Sequence, residues 1–175
     1  MTPEQRARQQ IDVLLQQCGW IVQNRSQTNL AAGAGVAIRE ALLKGGEADY
    51  LLFAVGKAIA TVEAKPEGYT LTGVEGQSGK YATGLLDIYP RWSDPLPFCY
   101  ESTGSEPRFS NRFDPNYSSR GVSAFHRPET LIEWVTQSKQ LNQRLREMPT
   151  LITGQLWLAQ IEAIQNLEKS LGEIR

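Results

Sequence analysis

The stretch DYLLFAVGKAIATVEAK, Asp49 to Lys65, limits the fold of this chain more than any other. Leu51 to Val55 and Ala58 to Val62 are apolar at successive positions rather than alternate ones. A strand with one wet face alternates, whereas a strand covered above and below does not. The two runs therefore predict a hairpin at the centre of a sheet, with other elements on both faces. Its charges gather at one end, where Asp49 enters the first strand and Glu63 and Lys65 leave the second. A two-residue turn at Gly56 and Lys57 would pair Asp49 with Ala64 and point it away from Glu63 and Lys65. A three-residue turn, or one bulge, would instead set Asp49 across from Glu63 with Lys65 on the same face.

The length of 175 residues allows one domain, or one domain with an appendage. Thr2, Pro3 and Gln5 form a capping-box start, and Ala7, Ile11, Leu14, Leu15 and Cys18 recur at helical spacing up to Gly19. Short extended stretches follow at Trp20 to Gln23 and Val36 to Leu43. A helix is predicted from about Val74 to Leu86, then a loop-rich region from Pro90 to Gly121 containing the strand-like LPFCYES. Pro128 and Glu129 open a helix that Pro149 stops, and QLWLAQIEAIQNLEKSL predicts a last one. No apolar run approaches the roughly 20 residues of a membrane span, and the polar start lacks a secretory signal, so a cytoplasmic protein is expected. Two cysteines, Cys18 and Cys99, suit reduced core positions better than a disulfide framework or a zinc site. A net charge of −1 gives no global pull on nucleic acid, so DNA contact would need a local patch, with Arg108, Arg112 and Arg120 as candidates.

Two carboxylates side by side near a core repel and call for a cation. Lys65 supplies one charge, and oxygen-only ligands favour Mg²⁺, which binds through one or two carboxylates and keeps waters for a phosphate. Such a set suits phosphodiester hydrolysis, with Lys65 orienting water or stabilising developing charge. The ordinary alternative is an ion pair on a strand end. Gln77 and Tyr81, four apart on one helical face, are candidates for contacting DNA backbone or orienting the lysine; a half-exposed amide and a core-edge tyrosine are the plainer reading. VEGQSGKY fails as a phosphate-binding loop, because Val74 and Tyr81 stand where glycine and a hydroxyl residue are needed. Asp12 and Glu40 are possible further carboxylates, though a solvated helix acid and a strand-edge acid fit them better. His126 stands alone and reads as a hydrogen-bonded structural histidine.

GGEADYLLF, VEAKPEG and GQSGKYATGL together resemble the N-terminal nuclease domain of the R (motor and cleavage) subunit of type I restriction enzymes, in the PD-(D/E)XK nuclease superfamily. RQQIDVLLQQCGW is similar to that family's first helix, FSNRFDPNYSSRGVSAFHRPETL to its segment before a linker helix, and LWLAQIEAI to the start of a superfamily 2 helicase motor. The resemblance implies an α/β restriction-endonuclease-like core, a mixed central sheet flanked by helices. It implies a nuclease domain over 1–137, a linker helix ending over 138–149, and the truncated start of the motor over 150–175. By position it implies metal binding by Asp49, Glu63 and the Ala64 carbonyl, a catalytic role for Lys65, a QxxxY element at Gln77 and Tyr81, and an adenine contact at Gln160. Ala48 replaces the proline of the superfamily name.

The activity so implied is Mg²⁺-dependent (or Mn²⁺-dependent) cleavage of duplex DNA without sequence reading of its own, alongside separate methyltransferase and specificity subunits. ATP would serve only the full-length subunit, since Arg175 precedes any phosphate-binding loop or DEAD-type box. Two alternatives are a repair or junction nuclease of the same fold and a docking module that binds DNA or the motor without cutting. The trio Asp49, Glu63 and Lys65 speaks against the second.

Overall fold

The long apolar runs become the centre of a seven-stranded mixed sheet. The computed structural model describes residues 2–66, 84–114, 117–146, 151–154 and 156–173. The strands are β1 (Ile21–Asn24), β2 (Gly35–Leu43), β3 (Gly46–Ala54), β4 (Lys57–Ala64), β5 (Phe98–Ser102), β6 (Pro107–Asn111) and β7 (Arg120–Gly121), and they lie side by side in chain order. Pairs β1–β2 and β4–β5 are parallel and the other four antiparallel. Central β3 and β4 are buried on both faces, as their uninterrupted apolar sequence requires. One face carries Ile38, Leu51, Phe53 and Cys99, packed with Leu85 and Leu96.

Helix α1 (Pro3–Gln17) begins as its sequence predicts: Thr2 Oγ1 accepts from Gln5 N–H at 3.2 Å, and Gln5 Oε1 accepts from Thr2 N–H at 2.9 Å. Its Ala7, Ile11 and Leu15 are buried. Helix α2 (Pro128–Arg146) starts against the sheet: a methyl group on Gly35 would lie 2.1 Å from Pro128 Cγ, so that glycine is required for the close approach. The chain divides into two compact units, Met1–Glu133 and Trp134–Arg175, and helix α3 (Leu158–Glu173) belongs to the second.

One open choice is resolved and two expectations change. The hairpin turn is Val55 and Gly56, one residue earlier than Gly56 and Lys57, since Ala54 pairs with Lys57. Both turn residues have positive φ, 50° and 71°, the backbone of a turn matched to strand twist. The loop-rich region contributes three strands rather than one, because β6 and β7 are short and begin at proline or arginine, where propensity is silent. The predicted helix of about Val74 to Leu86 falls mostly on residues 67–83, outside those described, but its last part is not helical: Leu85 forms an antiparallel bridge to Leu43.

Candidate functional site

A register shift builds the site. From the turn, Phe53 pairs with Ala58; beyond a bulge, Leu52 pairs with Ala60 and Tyr50 with Val62. Without the bulge Asp49 would oppose Val62. With it, the same register carried one residue further sets Asp49 against Glu63, one of the two pairings the sequence left open. The parallel β4–β5 ladder then places Glu63 beside Glu101, and β5–β6 places Glu101 beside Arg108. Four charged residues thus share one row across the sheet.

Asp49, Glu63, Ala64 and Lys65 line a cleft of about 360 Å³ together with Glu4, Arg8 and Pro66. Side-chain exposure is 15% for Asp49 and 12% for both Glu63 and Lys65. The Lys65 ammonium contacts Glu63 Oε1, and the Lys65 backbone N–H donates to the Ser102 carbonyl at 2.8 Å, which ties the lysine to β5. Asp49 Oδ2 accepts from the Ala64 N–H at 2.8 Å, and Oδ1 meets Arg8 Nη2 at 2.5 Å. Arg8 Nη1 also reaches Glu40 Oε1 at 3.0 Å. Glu63 Oε2 is buried with no hydrogen-bond partner, a costly condition for a carboxylate oxygen that a cation would relieve.

The donor set fits a hard cation in chemistry and in that orphaned oxygen. Among the described residues no three His, Cys, Asp or Glu side chains gather around a metal position. Protein ligation would rest on Asp49, Glu63 and backbone oxygen, few enough for an ion that retains water.

Other candidates are placed elsewhere. Asp12 receives Arg39 through both oxygens, at 3.0 and 2.8 Å, and lies 2.8 Å from the Tyr50 hydroxyl, so it is a paired acid on α1 outside the cleft. Burial first, and then the Asp12 charge, pushes the Tyr50 phenol far up and keeps it a donor. Glu40 pairs with Arg8. Arg108 binds Ser119 and Arg120 binds Asp114. His126 Nδ1 lies 2.7 Å from the Tyr100 hydroxyl, the hydrogen-bonded structural position expected. Gln160, in the second unit, is exposed and its Oε1 accepts from Trp157 N–H at 3.0 Å. Gln77 and Tyr81 lie outside the described residues.

Three charged residues escaped the sequence reading: Glu4 and Arg8, which line the cleft, and Glu101, in the same row of the sheet as Glu63. Glu4, Arg8 and Asp12 recur every fourth residue beside the buried stripe of α1, and that charged stripe was the available signal for Arg8. Glu101 is the sole acid of an otherwise uncharged strand and is 4% exposed.

No family model matches the chain. It is 24% identical to the type I restriction enzyme EcoKI endonuclease subunit of Escherichia coli K12 over an alignment covering 96% of this chain and 19% of the relative. The chain thus spans about a fifth of that relative's length. A solved fragment assigned as an HsdR subunit of a type I restriction enzyme from Vibrio vulnificus YJ016 superposes with a TM-score of 0.59 at 19% identity, over 99% of this chain and 33% of that one. The shared fold is the α/β one expected, a mixed sheet flanked by helices.

Proposed function

We propose that this chain, similar along nearly its whole length to a type I restriction endonuclease subunit, is the nuclease region of such a subunit, cutting duplex DNA with Mg²⁺ or Mn²⁺ at the Asp49–Glu63–Lys65 cleft. The observation carrying this reading is the bulge-set juxtaposition of two nearly buried carboxylates with Lys65 at one strand end. In this reading the site is of PD-(D/E)XK type. Asp49, Glu63 and the Ala64 carbonyl hold the ion, and Glu63 offers its unpartnered Oε2. The ion, when bound, supplies Lewis-acid charge to the scissile phosphate and the attacking water. Lys65, fixed through its backbone to β5, presents an ammonium to charge developing on the phosphate and orients the water. Gln77 and Tyr81 would complete the element implied by the resemblance, and Gln160 would contact adenine only within the full-length protein.

Sequence recognition belongs in this reading to a separate specificity subunit, with a methyltransferase subunit in the same complex, and no helix among the described residues is long and apolar enough to cross a membrane. Lys65→Ala in the full-length subunit tests the assignment. DNA cleavage should fall by about 10² to 10³, the scale of losing one transition-state donor, while ATP turnover persists. Cleavage at the wild-type rate would remove the chemistry from this cleft and favour the docking alternative.

A further inference from the structure

This inference rests on the reading of the cleft as a metal-dependent site. Both oxygens of Asp49 are engaged within the protein, Oδ2 by the backbone N–H of Ala64 and Oδ1 by the Arg8 guanidinium. The donor to Oδ2 is a backbone N–H fixed at the end of β4, whereas the group on Oδ1 ends a long side chain, so Oδ1 is the oxygen open to exchange. A guanidinium and a divalent ion on one carboxylate oxygen would bring two cations to within a few ångströms in a partly buried cleft, where their repulsion is poorly screened. We propose that Arg8 is the resident counter-ion of the cleft: an entering divalent cation displaces its guanidinium from Asp49, and Glu40 retains it at the rim.

The geometry separates the two contacts. Arg8 Nη2 faces Asp49 and Nη1 faces Glu40, so one can break while the other holds. Asp49 is 15% exposed and Glu40 57%, so the retained partner is the one in solvent. Helix α1 need not move, because the Tyr50 hydroxyl lies 2.9 Å from the Arg8 carbonyl oxygen and Asp12 is clamped to Arg39. The exchange is a rotation of one long side chain. At the rim, a planar fork of donors stands where a phosphate oxygen would approach the carboxylates. Glu40, an expected metal-site acid or solvated acid, thereby becomes the arginine's second anchor.

The test is titration of the whole chain with MnCl₂, followed by calorimetry and by the electron paramagnetic resonance signal of free Mn²⁺, for the wild type, Arg8→Gln, Arg8→Lys and Asp49→Asn. Arg8→Gln should bind Mn²⁺ at least about tenfold more tightly, the scale of a hydrogen bond to a charged group that the ion no longer displaces. Arg8→Lys should show a smaller rise, and Asp49→Asn should lose the site. Unchanged or weaker binding in Arg8→Gln, with binding still abolished by Asp49→Asn, overturns the role of Arg8 and leaves the nuclease reading intact. Equal binding in the wild type and Asp49→Asn, or no binding in any chain, overturns both. Circular dichroism checks folding; if Arg8→Gln is unfolded, the comparison of Arg8→Lys with the wild type decides, a rise supporting the exchange and no rise overturning it.

Discussion

An ion pair with both side chains 12% exposed, as for Glu63 and Lys65, lies outside the regime in which surface charges contribute little. These two residues and Asp49 were legible in the sequence because apolar runs delivered them to one place. Arg8 and Glu101 were not, since a charged helix stripe or a lone strand acid is more often solvated, and only packing decides. His126 lent itself to the structural reading, and its surroundings yield a prediction. Burial, and then the nearby Arg120 charge, hold its imidazole below the usual value of 6.5. The unfolded chain, titrating near 6.5, therefore binds this proton more readily than the folded one. The resulting stability is fully present above about pH 6.5 and is lost as pH falls from there through the lower folded value. Urea midpoints measured from pH 8 to pH 5 should decline below about 6.5 in the wild type and decline less in His126→Gln, with the chain's single histidine removed. Equal slopes in the two proteins would count against it.

Among the elements, the β3–β4 hairpin was plain from its composition, but its register was not. Two features invisible to hydropathy set it: the turn at Val55 and Gly56 and the bulge between Leu52 and Phe53. The turn also contradicts local preference. Val55 adopts φ of 50°, a backbone that a β-branched residue resists, and the residue is 62% exposed, so little packing offsets the strain. Asn-Gly is the sequence such turns favour. Val55→Asn should stabilise the protein by about 0.5–1 kcal/mol, read as a rise in the urea midpoint with no change in slope. A fall in midpoint would show that Val55 contributes contacts its exposure does not suggest. The strands β6 and β7 were missed for a different reason: β6 is held by pairing with β5, and β7 by pairing with β6, rather than by any pattern of their own.

For the molecule as a whole, the first unit carries the sheet and the cleft, and the second carries α3, with Trp157, Leu158 and Leu167 at 81%, 79% and 59% exposure. Amphipathic spacing predicted that helix, whereas its assignment to a motor domain remains a proposal founded on resemblance. In the proposed function, the first unit would hold a divalent ion between β3 and β4 for phosphodiester cleavage. Anomalous diffraction from crystals grown with Mn²⁺ tests it most directly. The account predicts a peak in the cleft bonded to carboxylate oxygens of both Asp49 and Glu63, at roughly the 2.0–2.2 Å of a small hard divalent ion, with Arg8 withdrawn to Glu40. A cleft without a peak, with Arg8 still on Asp49 and manganese bound only elsewhere, would contradict it.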